Sequence, residues 1–285
     1  MSDIVALLHC LTPYLSNTTM RQLKQVVFAV LCIPDRVTML SIARRTERGG
    51  SYRTIQRWYH TPVDWAIMLW TVIQVYLLNP EGEYLLAGDE VVISKAGDAT
   101  HGGGRFYSSL AQRPINSVSF MAVSLIDVQA RRSYPLQVEQ REPAVPVEKP
   151  VDPPLNRTRG RPKGSKNHVK PAPDLTPDLT LLQRMIKAIT ARIIPLTVKH
   201  IVLDGHFGNY PATYAVRETG LHIISKFRQD AALYLPYSGP KPRRGPTPRY
   251  GKKLNYHQLP AEALCHSVME GDYRVDTYQL TAFNK

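Results

Sequence analysis

The chain has 285 residues, of which 43% are hydrophobic, enough to bury a core in one large domain or two ordinary ones. It carries 36 Lys plus Arg against 23 Asp plus Glu, a net charge of +13, which points to an acidic partner such as nucleic acid. The three scattered cysteines, Cys10, Cys32 and Cys265, argue against a disulfide framework or a zinc site. Asp3 and the absence of a basic residue before the first apolar stretch argue against a secretory signal. No window is long and apolar enough for a membrane span, so no membrane partner and a cytoplasmic location are expected.

Residues 1–80 read as helices. In 21–31 the apolar positions Leu23, Val26, Val27 and Val30 share one helical face, and Pro34 with Asp35 then forces a turn. A short helix is expected over 37–45. The run Glu47-Arg48-Gly49-Gly50-Ser51 supplies a stop and then an N-cap, so another helix should open at Ser51, burying Tyr52, Ile55 and Tyr59. Its other side presents Arg53, Gln56 and Arg57 at i, i+3 and i+4, long donors of the kind that reach base edges or phosphates. Two readings fit this pattern: the recognition helix of a helix-turn-helix, and a solvated face in an all-α domain. Residues 65–78 read as a buried helix.

From about residue 81 the texture changes to strands. Residues 84–93 form the first, 100–105 a glycine-rich turn, and 117–128 a further run rich in Val, Ile and Phe, which together suit an antiparallel meander. The glycine triplet lacks the Lys-Ser/Thr of a phosphate-binding loop. Residues 142–178 are crowded with proline and charge and read as an insertion. Within it Arg159, Gly160, Arg161 and Pro162, followed by Lys163, resemble an AT-hook, whose extended arginines enter the narrow minor groove of A·T-rich DNA. A basic linker fits the same residues. A helix at 181–194, a strand at 198–204, a helix at 211–219 and a strand at 221–227 complete the order β-β-β-α-β-α-β that an RNase H-like fold requires. A second basic, proline-rich loop spans 236–257, and the twelve cations of two acid-free stretches, Arg157 to Lys170 and Lys241 to Lys253, match nearly all the excess positive charge. The expected architecture is therefore α/β, with a helical DNA-binding unit over 1–80 and a partial RNase H-like mixed-sheet domain over 81–285.

Asp89 and Asp204 each sit against an apolar, strand-like run. Two carboxylates brought together at the ends of buried strands are costly unless cations neutralise them, and magnesium is the usual cation. His101 and His206 lie close to the two aspartates in sequence and are assigned supporting roles. The stretch from Gly88 through Asp89 to Gly97, continued by Thr100, His101, Gly102, Arg105, Phe106 and Tyr107, resembles the first-aspartate region of DDE transposases from bacterial insertion sequences. Leu203-Asp204-Gly205-His206-Phe207 is similar to that family's second-aspartate region, and residues 223–234 to the segment after it.

The resemblance implies strand cleavage and transfer at double-stranded DNA ends, at terminal inverted repeats, with two Mg2+ or Mn2+ ions. Asp89 would bridge both ions and Asp204 would hold one. It also implies residence in the bacterial cytoplasm beside the nucleoid, and allows a homo-oligomer. The family's third acid follows a Tyr, two residues, Arg, three residues, Glu pattern. Tyr214 and Arg217 begin that spacing, but Leu221 stands where Glu belongs. A truncated transposase is the expectation from this departure. The alternative is a non-catalytic DNA-binding remnant or repressor of transposition.

Overall fold

A computed structural model describes residues 2–46, 51–97, 99–143, 172–193, 196–227 and 231–284. Arg159, Arg161 and Lys163 of the AT-hook-like segment, and the glycine turn at 47–50, lie outside the described residues.

The N-terminal part is helical: α1 (Ser2–Leu7), a 3-10 turn (Leu8–Tyr14), α2 (Asn17–Cys32), α3 (Met39–Arg45), α4 (Tyr52–Tyr59) and α5 (Trp65–Tyr76). Local chemistry sets the starts. Ser16 accepts the Thr19 N–H at α2, Thr38 and Ser41 form a reciprocal capping box at α3, and Asp64 accepts the Ile67 N–H at α5. Leu11, Leu23, Val26, Ala29, Ile42, Ile55, Trp58 and Met68 form one core. The buried face of α4 differs from the sequence expectation: Ile55 and Trp58 are buried, whereas Tyr52 and Tyr59 are 46% and 47% exposed. Helix α5 belongs to two cores, placing Met68 in the helical one and Trp70 and Ile73 in the next.

The second core lies on one face of a six-stranded mixed sheet. Its strands are β1 (Tyr84–Ser94), β2 (Gly104–Ser108), β3 (Arg113–Asp127), β4 (Arg132–Arg141), β5 (His200–Leu203) and β6 (His222–Ser225). β3 runs antiparallel to β1, and β2 and β4 pair end to end along its other edge. β5 then joins β1 in parallel, followed by β6. Such parallel pairs need crossovers, supplied by α6 (Pro177–Arg192) and α7 (Tyr210–Arg217). Leu182, Met185, Ile186 and Ile189 of α6 and Val216 of α7 pack with Leu86, Val123, Leu125, Ile201 and Leu203 of the sheet. Thr176 caps α6, and Pro177 at its first turn suits the helix start.

Alternate residues of β1 turn the other way, onto a face whose apolar side chains are partly exposed. Val91, Ile93, Val138 and Ile224 there are between 44% and 54% exposed, and Asp89 shares the face with Val91 and Ile93. Beyond β6 a small sheet combines β7 (Leu233–Pro236), β8 (Tyr250–Lys253) and β11 (Phe283–Asn284), and β9 (Leu264–Glu270) pairs with β10 (Tyr273–Tyr278) as a separate hairpin. No described helix is long and apolar enough to cross a membrane.

Candidate active site

In the parallel pairing of β1 and β5, Gly88 lies opposite Leu203. The next residue on each chain segment is an aspartate, Asp89 within β1 and Asp204 just past the end of β5. A Cβ at residue 88 would lie 2.8 Å from Leu203 Cδ2, so the Leu203 side chain fills the space that the glycine leaves. Asp89 Oδ1 accepts the Glu90 N–H at 2.8 Å, and Asp204 Oδ1 accepts the His206 N–H at 3.0 Å, capping a 3-10 turn over Gly205–Phe207. Ser225 Oγ donates to the Asp204 carbonyl at 2.7 Å, tying that turn to β6. Both aspartates are exposed, and both line an open cleft of about 640 Å³ that Tyr107, Ser109, Leu110 and His206 also border.

A second charged group stands on the wall of the same cleft. Arg141 on β4 donates to Glu90 Oε1 at 2.8 Å through one guanidinium nitrogen and faces Asp178 Oδ1 with another, while its carbon lies 5.2 Å from the Phe106 ring centroid. Ser119 donates to Glu90 Oε1 at 2.6 Å. Burial pushes the Asp178 carboxyl above its ordinary value; Arg141 opposes that shift, Glu90 adds to it, and His206 opposes it. One cation thus serves two carboxylates and pins the first turn of α6 to the strand that carries Asp89.

Of the residues singled out in sequence, the fold brings Asp89, Asp204 and His206 to one cleft. His206 packs edge-on against Phe207 at 5.2 Å. His101 is not among the residues lining the cleft; it sits in the turn before β2, where its carbonyl accepts a hydrogen bond from Gln140 at 2.7 Å. Arg53, Gln56 and Arg57 are exposed together on α4. Glu90, Arg141 and Asp178 escaped the sequence reading. Glu90 had one available signal, its adjacency to Asp89, whereas Asp178 was assigned to the proline-rich insertion and proves to lie in the first turn of a helix. Among the described residues no group of three or more His, Cys, Asp or Glu side chains is placed to hold a metal ion.

A mixed sheet in this strand order, with helices crossing between its parallel strands and two aspartates at adjoining positions, is consistent with an RNase H-like fold of the DDE type. A family model described as DDE superfamily endonuclease matches residues 10–281, and the chain belongs to that family of transposases and endonucleases. A search of curated proteins found no match.

Proposed function

We propose that this chain binds double-stranded DNA at terminal inverted repeats and serves strand cleavage and transfer, with Asp89 and Asp204 as ligands for Mg2+ or Mn2+. The observation that carries the reading is the placement of these two carboxylates, one residue past the Gly88–Leu203 pair, on one open cleft in a DDE-family chain. Their chemistry suits a hard cation. Each commits one oxygen to a backbone N–H, and neither has a cationic partner among the described residues, whereas Glu90 and Asp178 share Arg141. When bound, the ions supply activation of the attacking water or 3′-hydroxyl and stabilisation of the leaving oxygen. The two aspartates hold that charge in place, and His206, on the same cleft, is assigned a supporting contact to the DNA.

Two acids supply few oxygen ligands for two ions, and the apolar residues beside Asp89 on its sheet face are about half exposed. The helical unit, residues 1–80, is assigned to DNA recognition through Arg53, Gln56 and Arg57, with Arg159, Arg161 and Lys163 as a minor-groove contact. The reading places the protein beside the bacterial nucleoid. A non-catalytic DNA-binding remnant or repressor is the second reading, favoured by the absence of a three-ligand cluster among the described residues.

The test is Mn2+ titration of the whole chain by calorimetry. Asp89→Asn and Asp204→Asn each weaken ion binding by roughly tenfold or more, as removal of a charged oxygen ligand requires, while duplex affinity is retained. Unchanged Mn2+ binding in both variants overturns the metal assignment.

A further inference from the structure

We propose that the arm joining β7 to β8 is a further DNA contact, one that grips the phosphate backbone of the duplex lying in the cleft and does not read sequence. This rests on the DNA-processing reading of that cleft. From Pro236 to Lys253 the chain carries Lys241, Arg243, Arg244, Arg249, Lys252 and Lys253 and not one acid. All six are exposed, and none pairs with a carboxylate among the described residues. Six cations are close to half of the chain's net charge of +13, so their self-repulsion is large for so short a segment and is relieved by a polyanion.

The arm is also built to hold its shape. Tyr234 pairs with Lys253 and Pro236 with Tyr250 at its root, and the Tyr237 N–H donates to the Arg249 carbonyl at 3.4 Å. Tyr250 meets the rings of Tyr234 and Phe283 at 6.0 and 6.1 Å, and Arg249 covers Phe283 at 4.9 Å. Above this root, Pro240, Pro242, Pro246 and Pro248 fix φ and keep the backbone extended, while Gly245 turns it at φ +87°. An arm stiffened in this way loses little conformational freedom on binding.

Its position follows from the chain. The Lys226 carbonyl packs against Gly205 and Gly208, on the turn that holds Asp204. β7 begins seven residues later, so its root lies within about 25 Å of that turn even for a fully extended link. That distance spans roughly seven base pairs of a duplex whose phosphates repeat every 3.4 Å per strand. A duplex seated at Asp89 and Asp204 needs to extend only a few base pairs toward the small sheet to meet the arm. Exposed charge of one sign on an extended, proline-rich strap matches phosphates in a row and offers no packed pocket for a base.

The experiment measures binding of fluorescent duplex DNA by the whole chain across a series of salt concentrations, using the triple variant Lys241→Gln, Arg243→Gln, Arg244→Gln. None of these side chains supports the arm's root. The expected result is a plot of log affinity against log salt flatter by about 2 to 3 units, with binding to end-sequence and random-sequence duplex weakened alike by roughly tenfold or more near physiological salt. A second variant, Arg243→Lys, Arg244→Lys, keeps the charge and is expected to bind as the parent does. An unchanged salt slope in the triple variant overturns the proposal. So does loss of binding in the lysine variant, or weakening confined to end-sequence DNA, because either result means base recognition. Stronger capture of an acidic peptide than of duplex would assign the arm to a protein partner instead. Asp89→Asn and Asp204→Asn separate the two readings: a flattened slope in the triple variant beside unchanged Mn2+ binding in both aspartate variants removes the catalytic assignment and leaves the arm.

Discussion

Arg141 stands between Glu90 and Asp178 on the cleft wall, and its removal leaves two carboxylates facing each other with no cation. Arg141→Ala is expected to destabilise the fold by about 2 kcal/mol, less than for a fully buried pair because water reaches both Arg141 and Glu90. The pH dependence has a definite sign. The Asp178 carboxyl titrates above 3.8 in the folded chain, so between that value and its raised one the folded state binds a proton that the unfolded state releases. Stability is lost as pH rises through that window and regained as pH falls. Without Arg141 the folded value rises further, and the window widens upward. Urea unfolding of the variant at neutral and mildly acidic pH should therefore show a deficit that shrinks on acidification; a deficit that does not change with pH would mean Arg141 acts through packing on Phe106 rather than through charge.

At the scale of an element, α4 joins a buried edge of Ile55 and Trp58 to an exposed edge of Arg53, Gln56 and Arg57. The buried edge locks the helix against α3 and the rest of the helical core, so the exposed donors are held on a rigid rod. If this helix reads bases, Arg57→Ala removes a bidentate contact and costs about 1 to 3 kcal/mol of DNA affinity, with relaxed preference at one base pair. Mobility-shift titration against a candidate terminal repeat and a scrambled duplex measures both. Equal affinity and equal preference would leave α4 as a solvated face of the helical unit.

For the whole molecule, charge and chemistry separate. On the proposed function, the net charge of +13 serves salt-dependent DNA binding whether or not a reaction follows, whereas the proposed in-line displacement needs both ions clamped. The chain by itself is expected to shift duplex DNA, more weakly as salt rises, without detectable Mg2+- or Mn2+-dependent nicking of element ends. Gel analysis of end-labelled DNA checks this. Nicking by the parent chain that Asp89→Asn abolishes would show a complete site within these residues and overturn the non-catalytic reading; Asp178 would then be the first carboxylate to test as the third ligand.

Strand and helix texture was legible in the residues themselves, because apolar periods of two and 3.6 and the Pro, Gly and Ser punctuation are local properties. The strand beginning at Tyr84, the helix after Ser51 and the run ending at Asp204 all fall where that reading expects them. Periodicity could not decide which aromatic of α4 turns inward. Trp58 rather than Tyr59 is buried, since that choice depends on where α5 and α2 pass. Asp89 and Asp204 could be noted as paired carboxylates from their strand contexts, but the parallel register that sets Gly88 against Leu203 exists through the crossover of α6 alone. The Glu90–Arg141–Asp178 group lay beyond sequence reasoning, for its members come from two strands and a helix start separated by long stretches of chain. What the sequence determined was the kind of element and the sign of the charge; burial, register and the meeting of distant ionic groups were decided by the tertiary fold, because each depends on which surfaces exclude water together.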